Sequence, residues 1–338
     1  MAPEVIVAAI MLLALILYAL LGGADFGGGV WDLLASGPRA KAQRALIADA
    51  IAPIWEANHV WLIVVIVLLF TAFPPAFYSI MVALHVPLTL MLIGIVMRGA
   101  AFTFRHYDSH RDDVQRRWSG IFAVASTITP VTLGMCVGGI VSGRIVSDLK
   151  TEGIDYYFAS WLAPFPLALG LLTLALFSFL AAVYLAAEAE DVELKIDFRN
   201  RALISALVVF SFAWLAFILS ETGAPRIRKG LLHSTWALPF HLITGATAAG
   251  AIWALWIRKY LLARALAAIQ VALILTGWGM AQYPYIIVPA LTISEAAAPV
   301  ATLRLLLIAL AGGAVLLFPS FYYLYRIFKG RKAFAIRD

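Results

Sequence analysis

The chain alternates long apolar runs with short polar segments. About nine of the runs approach the length of roughly 20 residues that a helix needs to cross the hydrocarbon core of a bilayer. This pattern predicts an all-α integral membrane protein without a separate soluble domain. The runs span approximately residues 5–34, 48–72, 75–98, 119–142, 161–187, 201–220, 237–257, 261–283 and 300–327.

The composition agrees with this pattern. Of the 338 residues, 63% are hydrophobic and 13% are charged, and the mean hydropathy is +0.93. A soluble domain usually has about 25% charged residues, so the composition excludes the two soluble domains that the length alone would suggest. The net charge of +6 does not indicate nucleic-acid binding, because the basic residues lie in short loops between apolar runs.

The first apolar run follows a segment that contains Glu4 and no basic residue, whereas a signal peptide begins with a positively charged stretch. We therefore expect this run to be a retained membrane helix. The single cysteine, Cys136, excludes an intramolecular disulfide and a multi-cysteine metal or iron–sulfur site built from this chain alone. We expect no metal site in the chain.

The positions of the basic residues predict the orientation in the membrane. Cytoplasmic loops are enriched in Lys and Arg, so the side with more of them is expected to face inward. With the N-terminus outside and the C-terminus inside, most of the 25 Lys and Arg residues fall in the inner segments. These segments contain the basic residues of 39–44, 98–117, 195–201, 258–264 and 326–337.

Two predicted helices carry acids at membrane depth. Asp25 and Asp32 are seven residues apart in the first helix, and Asp49 and Glu56 have the same spacing in the second. A spacing of seven places both acids on one helix face, and His59 follows Glu56 by one turn. If the two helices are antiparallel neighbours, these side chains could line one polar seam that leads inward from the cytoplasm.

Ionisable groups within a membrane are costly and commonly serve ion or proton pathways, which favours a proton relay. Pro53 would support it, because it leaves the carbonyl of Asp49 without a helical donor. Other interpretations stay open: Asp32 and Asp49 could be solvated at the interface, and Asp25 and Glu56 could be neutral acids in structural hydrogen bonds. His85 and His241, also in apolar helices, are weak candidates for haem ligands.

Four segments resemble subunit II of the cytochrome bd family of quinol oxidases, and the resemblance extends over the whole chain. The pairing of the first two segments is specific to that family. The segments are GGADFGGGVWDLL (22–34), AIAPIWEANHVWLI (50–63), VMRGAAFTFR (96–105) and GMAQYPYIIVP (279–289).

The resemblance implies two four-helix bundles, at 1–142 and 161–283, and a peripheral helix at 300–327. It implies a heterodimer with a homologous subunit I that holds haem b and haem d and oxidises quinol while O2 is reduced to water. This chain would bind no haem and contain no catalytic residue, but would form one side of a proton path. A structural quinone, a small single-helix accessory subunit and a bacterial or archaeal inner membrane are further expectations of the family.

The resemblance also carries roles to single positions. Glu56 matches the acid of the family's proton channel, and Asp25 matches the acid of the helix 1 motif. Trp61 matches a tryptophan beside a hydrophobic O2 passage. Arg98 and Arg105 match basic positions after the third helix, and we expect them at the inner interface.

Two rival functions are compatible with the same residues. A proton-coupled secondary transporter would also use buried carboxylates, although the second half of this chain has no matching acid pair. A purely structural partner subunit would contain the same acids without using them. Unchanged turnover in a Glu56→Gln variant would favour that second rival.

Overall fold

A computed structural model of the protein describes residues 2–51, 55–107, 112–145 and 158–334. The described part is mostly helical. In chain order its helices are α1 (Pro3–Leu33), α2 (Ala40–Ile51), α3 (Trp55–Ala72), α4 (Pro74–Ala83), α5 (His85–Tyr107), α6 (Asp112–Val141), α7 (Pro164–Glu188), α8 (Val192–Gly223), α9 (Pro225–His233), α10 (Ala237–Trp256), α11 (Tyr260–Gln282), α12 (Ile293–Ala296) and α13 (Val300–Phe334).

Within the described ranges, nine helices are long and apolar enough to cross a membrane. They are α1, α3, α5, α6, α7, α8, α10, α11 and α13, and they confirm the predicted all-α membrane fold. Two predicted runs are divided. The run at 48–72 combines the end of α2 with α3, and Pro53 between them lies outside the described residues. The run at 75–98 changes from α4 to α5 at Leu84.

Proline and polar caps set several of these boundaries. Pro74 and Pro225 are the first residues of α4 and α9, a position where the missing N–H costs no helical hydrogen bond. Asp191 caps α8, since its side chain accepts a hydrogen bond from the backbone N–H of Glu193. Gly37 has a φ of 76° and allows the tight turn between α1 and α2.

Helix α1 lies at the centre of the packing and contacts α3, α6, α7 and α11. Its glycines allow this close approach, as small residues do between membrane helices. A Cβ at Gly27 would collide with the backbone carbonyl of Phe177 on α7, and one at Gly29 would collide with Ser126 on α6. The glycine-rich segment around Asp25 therefore brings that carboxylate deep into the helix packing.

The segment after α11 forms a short antiparallel hairpin of β1 (Tyr285–Ile287) and β2 (Leu291–Thr292), which the sequence pattern did not predict. Thr292 then starts α12 with a capping box, in which its side chain and backbone pair with Glu295. Hydrogen bonds from the Thr292 side chain and backbone lower the pKa of Glu295.

Helix α13 is the most exposed of the spanning helices, with 6% of its apolar window buried. It contacts α1 and α3, and the ring of Phe321 stacks on Trp61 with centroids 5.5 Å apart. A peripheral position for the span at 300–327 and the division into bundles at 1–142 and 161–283 stay predictions.

Candidate functional site

The centre of the candidate site is Asp25, which is 5% exposed within the helix packing. Asn58 on α3 donates a hydrogen bond from Nδ2 to Asp25 Oδ2 at 2.8 Å, and Asn58 is itself buried. A buried carboxylate is costly unless it is hydrogen-bonded and its charge is compensated. The amide of Asn58 supplies the hydrogen bond and fixes the orientation of the carboxylate.

Arg98 on α5 supplies positive charge to the same region. It is 1% exposed, and its guanidinium is near enough to Asp25 for the two charges to attract each other. The guanidinium carbon lies 4.8 Å from the ring centroid of Phe26 and 5.4 Å from that of Phe122, distances typical of cation–π contacts.

The burial of Arg98 corrects one expectation from the sequence. The family resemblance led us to expect this residue at the inner interface, as a basic position after the third helix. Instead α5 continues to Tyr107, and Arg98 lies inside the packing, where the Phe26 and Phe122 rings and the charge of Asp25 compensate it. Arg105 is within α5, but its side chain lies outside the described residues.

His59 is half-buried in an aromatic cage beside this region. Its ring centroid lies 5.8 Å from that of Tyr18, 5.7 Å from Phe26 and 6.4 Å from Trp55. His59 Nδ1, the Tyr18 hydroxyl, and Nε and Nη2 of Arg98 have no hydrogen-bond partner within the described part of the chain. Buried polar atoms are usually satisfied by protein or ordered water. We therefore expect ordered water to supply hydrogen bonds to this group of polar atoms.

The structure separates the predicted acids by burial. Asp25 and Asp32 on α1 are buried, whereas the side chains of Asp49 on α2 and Glu56 on α3 are exposed on the surface of this chain. Glu56 and Asn58 are two residues apart and so lie on opposite sides of α3. The α3 residue that contacts Asp25 is therefore Asn58. The four acids do not line one continuous polar seam, because two of them are buried and two are exposed.

Trp61 is 8% exposed and packs under Phe321 of α13. Its environment is apolar, with Leu62 and Met91 in the same hydrophobic cluster. Trp61 is thus part of the packed apolar core. That an O2 passage lies beside it stays a prediction.

A second polar cluster, which the sequence reasoning missed, joins the start of α2 to α8. Arg39 binds Asp197 through two hydrogen bonds of 2.9 and 2.7 Å, and Gln43 donates a third to Asp197 at 2.9 Å. Arg201 donates to Gln43 at 2.7 Å. The carboxylate of Asp197 raises the pKa of Arg39. No short sequence motif indicates these pairs, because the partners are far apart in the chain.

The described histidines differ in their surroundings. His85 and His241 lie on the exposed surface, and each places Nδ1 beside a backbone carbonyl of its own segment. His59 is enclosed by aromatic rings. The described residues also contain no group of three or more His, Cys, Asp or Glu side chains that could hold a metal ion.

A large apolar cavity of about 530 Å³ lies between α1, α3, α6 and α11. Its wall is mostly aliphatic, with a few polar groups near the β hairpin. Among these, Trp278 Nε1 and Gln282 Oε1 are buried and have no hydrogen-bond partner in the described ranges. A cavity of this size and composition is typical of a site for an apolar small molecule.

Comparisons with known proteins give the family. The family model for cytochrome bd terminal oxidase subunit II matches residues 3–328. The chain is 25% identical to the putative cytochrome bd menaquinol oxidase subunit II of Bacillus subtilis (strain 168), over 94% of this chain and 93% of that protein. It is 28% identical to the cytochrome bd-I ubiquinol oxidase subunit 2 of Escherichia coli (strain K12), over 57% of this chain and 51% of that protein.

The fold is also similar to a solved structure, that of the bd oxidase from Geobacillus thermodenitrificans. The TM-score is 0.81 at 22% identity, and the match covers 97% of this chain and 99% of that one. Together with the nine helices of the described part that are long and apolar enough to cross a membrane, the family match identifies a multi-pass protein of the bacterial inner membrane. The chain belongs to the cytochrome bd terminal oxidase subunit II family.

Proposed function

We propose that this chain supports a haem-bearing subunit I in a quinol oxidase and carries part of the path that brings cytoplasmic protons to the site of O2 reduction. Membership of the subunit II family supports the oxidase context. The observation that carries the proton role is the buried carboxylate of Asp25, hydrogen-bonded by Asn58 and facing the charge of Arg98.

The arrangement suits a carboxylate that receives and releases a proton. Asn58 holds Oδ2, so the carboxylate keeps one orientation while its protonation changes. Arg98 supplies the charge that a buried carboxylate needs when ionised. The unpartnered polar atoms of Tyr18, His59 and Arg98 favour water beside this group, and water can transfer protons between fixed side chains.

The reaction of the complex requires such a path. Haem b and haem d, expected in the partner subunit, would transfer the electrons from quinol to O2. Oxidation of quinol releases protons, whereas reduction of O2 to water consumes them. If the consumed protons enter from the cytoplasm and the released ones leave outside, charge is separated across the membrane without a pump.

Glu56 has a different place in this proposal. Its side chain is exposed on the surface of this chain, so it is available to a partner subunit that covers α3. An acid at a subunit boundary can pass a proton between chains, which is the role that the family resemblance gives to this position. Asp32, Asp49 and His59 are secondary members of the proposed path, with His59 adjacent to the Tyr18 and Phe26 rings.

The decisive test is quinol-dependent O2 consumption by the co-purified complex carrying Asp25→Asn or Glu56→Gln, with haem spectra recorded on the same sample. We expect a loss of turnover of about 10²-fold for Asp25→Asn, the scale of a positioned proton-transfer group. The haem spectra should be unchanged. Wild-type turnover in both variants would leave the structural-subunit function, and the absence of a haem-bearing partner would favour the transporter.

A second function is favoured by the apolar cavity. We propose that it holds a structural quinone: the aliphatic wall would accommodate the isoprenoid tail, and the Trp278 indole N–H would be available as a donor for the head group. Trp278→Phe should lower the quinone content of the purified complex, measured by extraction and chromatography. Equal content in the variant and the wild type would exclude this role for Trp278.

A further inference from the structure

A small cavity of about 60 Å³ lies against Asp25, between α1, α2, α3, α7 and α11, and Glu56 does not line it. Its polar lining consists of Asp25, Asn58, Tyr184, Glu188 and Arg264. About 10–15 Å³ of such volume holds one water, provided that polar partners are available. The cavity therefore has both the room and the partners for several waters.

The end of this cavity away from Asp25 has an ion pair that the sequence reasoning did not single out. Arg264 Nη1 lies 3.5 Å from Glu188 Oε1, and the guanidinium carbon lies 4.9 Å from the Tyr184 ring centroid. The side chains of Glu188 and Arg264 are 21% and 36% exposed, whereas Asp25 is 5% exposed. The polar lining thus extends from a solvent-accessible pair to a buried carboxylate.

The positions of these residues in their helices show which end of the cavity is nearer the membrane surface. Glu188 is the last residue of α7, and Arg264 lies in the second turn of α11. Asp25 lies eight residues before the end of α1 at Leu33, or about 12 Å at 1.5 Å per residue. Alternation of the nine spans of the described part places the end of α7 on the same side as the end of α1. The pair is therefore near that surface and Asp25 is deeper.

We propose that this cavity is a hydrated proton inlet within the chain itself, with Glu188 and Arg264 as positioning residues at its mouth and Asp25 as the acceptor. The inlet rests on the proposed proton role of Asp25, but assigns a different entrance from Glu56. A proton from bulk water passes along the cavity waters to the Asp25 carboxylate. Glu188 stays paired with Arg264 and orders the first waters by its charge and hydrogen bonds.

The first test measures proton uptake and O2 consumption per haem d in the complex carrying Glu188→Gln. The matched control is Glu221→Gln. Glu221 also forms a 3.5 Å pair with an arginine, Arg228, but neither residue lines the cavity. Glu188→Gln should slow turnover several-fold and shift its pH profile, Glu188→Asp should restore much of the rate, and Glu221→Gln should behave as wild type. Values per haem d count assembled complexes only.

A second test fills the cavity without changing charge. Ala50 on α2 lines it, whereas Ala45 on the same helix is exposed and does not. Ala50→Leu should displace water and slow turnover, while Ala45→Leu should have no effect. The comparison of Ala50→Leu with Ala45→Leu tests the inlet even if the complex with Glu188→Gln does not assemble.

A third test detects water without using activity. In a background with Cys136 replaced by alanine, Ala24→Cys places a thiol on the cavity wall, and Ala19→Cys places one in the packed core of the same helix. A small water-soluble thiol reagent should label Ala24→Cys in the intact complex and leave Ala19→Cys unlabelled. Absence of labelling at both positions would overturn the hydrated inlet.

The outcomes separate the inlet from the proposed function. Slow turnover in both Asp25→Asn and Glu188→Gln, with labelling of Ala24→Cys, supports the inlet. Slow turnover in Asp25→Asn with wild-type behaviour of both Glu188→Gln and Ala50→Leu overturns the inlet and leaves the proton role of Asp25. Wild-type turnover in Asp25→Asn overturns both.

Discussion

Two clusters in this chain combine arginine with aspartate, and they differ in how the partners are satisfied. At the start of α2, Arg39 and Asp197 are joined by two direct hydrogen bonds, and Gln43 adds a third. In the last third of α1, Asp25 is held by Asn58, while Nε and Nη2 of the nearby Arg98 have no hydrogen-bond partner in the described residues.

The surroundings explain the difference. The side chains of Arg39 and Asp197 are 42% and 17% exposed, so solvent completes their hydration. Arg98 is enclosed by the rings of Phe26 and Phe122, which compensate its charge without using its N–H groups. The first cluster is a structural tie between two helices. In the second cluster the N–H groups of Arg98 stay available for water, which the proposed proton path requires.

The largest effect that would test this comparison is expected from Arg98→Leu. The substitution leaves the charge of Asp25 buried without its compensating cation, and breaking a buried pair in this way typically costs about 3–5 kcal/mol. We expect a large loss of thermal stability and of assembled complex, measured by unfolding in detergent and by haem content per membrane protein.

The double variant Asp25→Asn with Arg98→Leu provides the control. If the charges of Arg98 and Asp25 compensate one another, removal of both should recover much of the stability lost in Arg98→Leu. A double variant no more stable than Arg98→Leu alone would show that Arg98 stabilises the fold by other contacts. If Asp25 is the proton acceptor that we propose, turnover of the double variant should stay low.

The contrast between clusters also shows what the sequence could predict. The number of spans and the buried acid Asp25 followed from long apolar runs and from the cost of an acid within them. The partners of Asp25 did not follow. Asn58 is only two residues from the more conspicuous Glu56 in the sequence. Which of the two side chains faces α1 depends on the rotation of α3 about its axis.

Arg98 and Glu188 show the same limit in another form. Arg98 was expected at the inner interface, as a basic position after the third helix, but α5 continues beyond it and the rings of other helices enclose it. Glu188 and Arg264 are 76 residues apart, and each alone resembles an ordinary charged residue at a helix end. Contacts between distant segments depend on helix packing, which no local pattern encodes.

An intermediate effect is expected from Asn58→Leu, which removes the hydrogen bond from Asn58 Nδ2 to Asp25 Oδ2. Loss of a hydrogen bond to a charged group costs about 1.5–3 kcal/mol, and leucine has the same branched side-chain skeleton as asparagine without its hydrogen-bonding groups. We expect lower thermal stability than wild type and a shifted pH profile of turnover. The conservative Asn58→Gln should keep the donor, and an equal effect of both substitutions would assign the change to packing.

The smallest effect is expected from Asp197→Asn in the cluster at the start of α2. The substitution keeps the shape and one hydrogen-bond acceptor for Arg39, and the lost attraction is already weakened by solvent at a partly exposed pair. The melting temperature should fall slightly at low salt, and the difference from wild type should shrink as salt screens the charges. Turnover per haem should be unchanged, because this cluster ties α2 to α8 and does not line the cavity beside Asp25. A loss of turnover at wild-type stability would contradict the distinction between the two clusters and extend the proton path to the Arg39–Asp197 pair.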